Sequence, residues 1–220
     1  MILLYEIMCW IQYTDTPSQI RNGADVFIRH LILGHGKYSE SIYGLFLIIL
    51  ILAIMFYNRN FVNTGRLKFS FLFYMIIESM LWCLGFIILM SISENLILFI
   101  NKRNVIPEQF YLAIGAGIWE ELLFRVCAIG LFLNLLTKFI GYNVISSAFI
   151  AILFSAVLFS LFHYIGPFGD IFTYKSFYIR TLAGIFLGSL YLFRGLGITV
   201  YTHIFYDMAI ISMPIILTKY

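Results

Sequence analysis

A chain of 220 residues that is 62% hydrophobic and 11% charged, with mean hydropathy +0.95, is no soluble domain; in those about 25% of residues are charged. The net charge of +3 is small and its basic residues are scattered, which excludes nucleic acid as the expected partner. What remains is an all-α, polytopic transmembrane helical bundle, an integral multi-pass protein (of the plasma membrane in a bacterium) whose first partner is the lipid bilayer.

Residues 1–40 are mixed. Ile2, Leu3, Leu4, Ile7, Met8, Trp10 and Ile11 form an apolar patch interrupted by Glu6 and too short to span, which predicts an N-terminal interfacial helix. The N-terminus has no basic stretch of the kind that opens a cleavable signal peptide. Pro17, Asn22 and Gly23 are turn signals, Gly34-His35-Gly36 is a loop, and His30 and His35 are expected at the surface. Unbroken apolar runs then predict about six spans, at 42–57, 69–92, 110–136, 144–165, 177–193 and 198–217. The run at 96–100 is too short to cross. Pro107 suits the start of the third helix, and Arg194-Gly195-Leu196-Gly197 makes the turn between the last two. Small residues mark close helix contacts: Gly184 and Gly188, then Ala148, Ala151 and Ser155, then Gly115 and Gly117. Cys9, Cys83 and Cys127 have apolar flanks and no CxxC spacing, so buried inert thiols are expected.

The third span carries the anomaly. Trp119-Glu120-Glu121-Leu122-Leu123-Phe124-Arg125 places three full charges near its middle, each costing roughly 2.5–3.5 kcal/mol at a helix centre on insertion scales. Glu121 and Arg125 are four apart and can pair on one face. Glu120 is turned about 100° from Glu121 and has no partner on its own helix. An unpaired carboxylate inside a span is a functional-site candidate.

Two further groups fall inside later spans. His163 follows Phe159 by one turn at the end of the fourth, and His203 precedes Asp207 by one turn in the sixth. Buried ionisable groups on three helices avoid lipid by facing one another, so one polar cavity should hold Glu120, His163, His203 and Asp207, with Glu121 and Arg125 behind. Such a set can perform acid-base work on water or bind a metal. Glu78 has no partner in the pattern and is left outside it. Carboxylates and histidines in spans also make proton relays, which keeps an ion-coupled transporter open as an alternative.

At these residues the sequence resembles a known family. Glu120-Glu121 to Arg125 matches EExxxR, Phe159 to His163 matches FxxxH, and His203 to Asp207 matches Hxxx(N/D), in the order seen in the CAAX prenyl endopeptidase and bacteriocin-processing (CPBP, or Abi) family. The resemblance implies an intramembrane endopeptidase core at 110–217, preceded by two accessory helices and their connection at 41–109 and the interfacial region at 1–40. It implies a membrane-associated peptide or protein as substrate, hydrolysed by water that Glu120 and His163 activate, with His203 facing the oxyanion and Glu121, Arg125 and Phe159 in support. Asp207 departs from the Asn of the animal and yeast CAAX enzymes; an ionised Asp cannot donate to an oxyanion, so it either is protonated or orients His203. No cofactor is required by this reading. Its alternative is zinc on Glu120, His163, His203 and Asp207, and a further one is a non-catalytic immunity or scaffold protein that keeps the motifs.

Overall fold

Apolar runs and the polar residues that punctuate them set where each helix begins and ends. The computed structural model describes residues 1–15, 21–33, 43, 45–46, 48–49, 52, 69–93, 108–166 and 169–217. Its helices are α1 (Ile2–Asp15), α2 (Gly23–Leu33), α3 (Phe69–Ser93), α4 (108–140), α5 (Val144–Phe162), α6 (Tyr174–Arg194) and α7 (Leu196–Leu217). Side-chain caps start three of them. Asn22 Oδ1 accepts from Ala24 N–H at 2.9 Å, Asn143 from Ser146 N–H at 2.8 Å, and Thr173 from Ser176 N–H at 3.2 Å. Each cap is worth about 1 kcal/mol. Gly141 ends α4 at φ 81°, and Gly195 at φ 82° separates α6 from α7; a side chain would strain either backbone.

Among the described residues four helices are long and apolar enough to cross a membrane: Ser70–Ile92, Phe110–Ile140, Val144–Phe162 and Tyr174–Arg194. They correspond to the second through fifth expected spans. The sixth is helical, yet its apolar described stretch, Leu196–Ser212, is shorter than a full span. The first, at 42–57, lies largely outside the described residues; Pro17, Gly34-His35-Gly36, the run at 96–100 and Pro107 lie outside them entirely.

Small residues bring the helices together. A Cβ on Gly184 of α6 would lie 2.8 Å from the Ala156 Cα of α5, and one on Gly117 of α4 would clash with Ile204 Cγ1 of α7 and lie 3.0 Å from Val200 O. Gly188 is looser, its nearest neighbours being side-chain atoms of Ile129 and Ile152 at 3.4 Å. On the other side, Phe86 and Met90 of α3 pack with Leu187 of α6, where Phe86 stacks on Phe186 at 4.6 Å. Glu78, unpartnered in the sequence pattern, takes a two-pronged bond from Arg194 at 2.5 and 2.7 Å.

The N-terminal region is helical as expected, and it also packs inward. It contributes to the core, with Tyr5, Cys9, Ala24 and Ile28 buried in one cluster with Tyr111, Ile114, Trp119 and Ile204. Polar groups anchor it as well. Asp25 is fully buried and takes Arg29 Nε at 2.9 Å, Arg21 NH1 at 3.0 Å, Tyr43 OH at 2.8 Å and Tyr5 OH at 3.2 Å. Glu6 bridges both arginines. Burial by itself lowers the proton affinity of the two guanidinium groups; Glu6 and Asp25 more than offset it at Arg21, and Asp25 does so at Arg29, holding both above the ordinary arginine range. The thiols also split: Cys9 and Cys83 are buried as expected, whereas Cys127 is exposed on the outer face of α4.

Candidate active site

The charges of the motif helix sit where its winding loosens. Over Ala116–Glu120 and again over Leu122–Ile129, α4 adopts π-helical turns, with Glu121 between them. Such turns are rare and concentrate at functional sites. Successive residues on a helix point about 100° apart, so Glu120 and Glu121 reach different neighbours.

Glu121 faces α7 and is fully buried. Its Oε1 lies 2.7 Å from His203 Nδ1, and its Oε2 lies 3.0 Å from Arg125 Nε, the latter an ion contact off the hydrogen-bond direction. Arg125 is covered by Phe159, its Cζ 4.7 Å from the ring centroid, a cation–π contact. Since an ionised carboxylate only accepts, His203 Nδ1 must carry its proton, and Nε2 is the nitrogen turned outward. Asp207 Oδ2 is 3.6 Å from that Nε2, beyond hydrogen-bond reach. Glu121, expected behind the site, is therefore the carboxylate in hydrogen-bond contact with His203, and Asp207 makes a longer ion contact on the ring's other nitrogen.

Glu120 points the other way, toward the N-terminal helices. It is 7% exposed, and its Oε1 accepts from Asn22 Nδ2 at 2.9 Å. Its other oxygen makes no hydrogen bond among the described residues. His163 follows the last residue of α5, and its Nδ1 lies 2.8 Å from the Phe159 carbonyl. A carbonyl can only accept, so Nδ1 carries the proton and the neutral ring keeps its lone pair on Nε2. Phe159 is the hinge of the arrangement: its ring meets His163 at 4.9 Å and His203 at 6.2 Å, both edge-on, and is backed by Phe124 at 5.4 Å. Ser155 Oγ, donating to the Phe124 carbonyl at 2.7 Å, ties α5 to α4 there.

The fold thus gathers Glu121, Arg125, His203 and Asp207 directly and brings in His163 through Phe159. No hydrogen bond joins Glu120 to His163 among the described residues. Asn22 is the neighbour that sequence patterning did not single out. Its only signal was the Asn22-Gly23 pair, which marks a turn and a helix start alike.

The zinc alternative can be weighed on the donors themselves. Glu120 Oε1, His203 Nδ1 and His163 Nδ1 are engaged by Asn22, Glu121 and Phe159, which leaves Glu120 Oε2 and the two Nε2 atoms as the donors a metal could take. Among the described residues no three His, Cys, Asp or Glu side chains are arranged to hold a metal ion. As placed, the residues do not fit a zinc site.

Residues 102–209 match the family model described as Rce1-like, type II CAAX prenyl endopeptidase Rce1-like, so this stretch is a domain of the CAAX protease family to which the three motifs point. No curated protein and no solved structure matches the chain.

Proposed function

We propose that the chain is a CAAX-type intramembrane endopeptidase in which Glu120 and His163 activate water. The observation that supports it best is the state of Glu120: a buried carboxylate inside a span, one oxygen held by the Asn22 amide and the other without a hydrogen bond among the described residues. That oxygen accepts a proton from water while the water oxygen attacks the scissile carbonyl carbon. His163 Nε2, the ring's lone-pair nitrogen, accepts a hydrogen bond from the same water and aligns it. The tetrahedral oxyanion is met by His203 in its imidazolium form, in which Nδ1–H stays on Glu121 and Nε2–H donates to the oxyanion. Glu120 then returns the proton to the leaving nitrogen as the C–N bond breaks, giving a new carboxyl end and a free amine. Asp207 stays at the rim, its side chain 28% exposed.

The test is cleavage by the purified chain in lipid vesicles of a panel of membrane peptides, prenylated peptides with a CAAX end among them, with product masses read directly. The reading expects a single internal bond cut in at least one member. Vesicles that instead move protons or other ions, with every peptide intact, would favour the transporter.

A further inference from the structure

We infer that Asn22 is a positioning residue for Glu120 and that the N-terminal helix pair is a working part of the site; this rests on the reading of Glu120 as the base. An Asn amide can usually turn over, exchanging oxygen for nitrogen. Here it cannot do so without loss. Asn22 Oδ1 is the N-cap of α2 and accepts from Ala24 N–H at 2.9 Å, which leaves Nδ2 as the end facing Glu120 Oε1 at 2.9 Å. The backbone is fixed too. Asn22 N–H donates to Tyr5 OH at 3.1 Å, and that hydroxyl donates to Asp25 Oδ2 at 3.2 Å.

Behind Asn22 stands a cluster of charged and aromatic side chains on the N-terminal helices. Asp25, Glu6, Arg21 and Arg29 balance one another in charge, and Tyr43 reaches Asp25 while lying under Arg29, whose Cζ is 3.5 Å from its ring. Such a network, with the groups on Asp25 satisfied from several elements, is rigid and specifies one arrangement. Its position is the telling point. It lies in the segment before the matched domain, yet it ends in a donor on that domain's first motif carboxylate. A helix cap alone needs only an acceptor at residue 22. The orientation of Glu120 needs the donor as well.

Two substitutions separate these roles, because Ser and Asp both keep a capping oxygen and both lose the amide donor. In vesicles, with a peptide that the chain cleaves, Asn22→Ser should lower kcat about tenfold with KM little changed, as expected for a lost charge-assisted bond. Asn22→Asp should lower it further, by putting a second carboxylate against Glu120. Wild-type kcat in both variants would overturn the inference and leave only the cap. Glu120→Gln is run beside them: if it cleaves normally, the parent reading has failed; if it is inactive while Asn22→Ser is normal, only the role of Asn22 has. A double-mutant cycle on thermal unfolding in detergent needs no substrate. Asn22→Ser should lower Tm less in the Glu120→Ala background, where no side-chain oxygen is left for the Asn22 amide, than in the wild type, and additive shifts would contradict the pairing.

Discussion

Glu121 and His203 lie on different helices, α4 and α7, and are joined by a buried contact of 2.7 Å. Glu121 also faces Arg125, so one carboxylate serves two basic side chains. Glu121→Ala would leave both without it in a dry interior. Loss of one partner of such a buried pair costs about 3–5 kcal/mol. The variant should therefore unfold at much lower temperature in detergent and yield little folded protein. A wild-type unfolding temperature would show that the contact carries little stability.

The N-terminal cluster predicts the same kind of loss far from the reacting groups. Asp25 is fully buried between Arg21 and Arg29. Asp25→Ala should destabilise the chain by about 3–5 kcal/mol, because both cations lose their innermost counter-charge. Thermal unfolding measures this directly, and unchanged Tm would show that α1 and α2 are not coupled to the core.

Two glycines one turn apart on α6 should behave differently. A Cβ on Gly184 meets the Ala156 backbone, whereas one on Gly188 meets only side-chain ends of Ile129 and Ile152. Gly184→Ala should cost about 1–3 kcal/mol as α5 and α6 are forced apart, and Gly188→Ala should be close to neutral. Equal effects on unfolding would mean that the GxxxG spacing, rather than the contact, governs the packing.

Local spacing made much of this architecture legible, and its limits are instructive. Glu121 and Arg125 pair as their i, i+4 spacing requires, and Phe159 and His163 meet for the same reason. His203 and Asp207 share that spacing but come only to 3.6 Å, since Glu121 claims the other side of the ring. Patterning placed Glu121 behind the site because Arg125, four residues on, was its partner in the pattern; its contact with His203 crosses from α4 to α7 and leaves no signal in local spacing. Asn22 was illegible for a different reason. A turn residue that reaches a carboxylate far along the chain leaves no periodic trace, and only the packing of α1 and α2 against α4 brings the two together.

Asp207 offers a test of the metal alternative. It stands 3.6 Å from His203 Nε2 and is partly exposed, so Asp207→Asn should retain most peptidase activity, and strong chelation should leave the wild type active. If zinc were bound there, the change would remove an anionic ligand and much of the affinity. Stoichiometric zinc in purified protein, lost in Asp207→Asn together with activity, would contradict the metal-free account.

The most direct measurement is the cleavage rate of Glu120→Gln beside wild type, both reconstituted in vesicles with a membrane peptide that the wild type cuts. Gln keeps the shape of the side chain and an oxygen for the Asn22 amide, yet cannot take a proton from water. The account predicts a folded protein with the wild-type unfolding profile and a rate lower by at least about 10²-fold, the usual scale of a lost general base. A Gln variant that cleaves at the wild-type rate would contradict it.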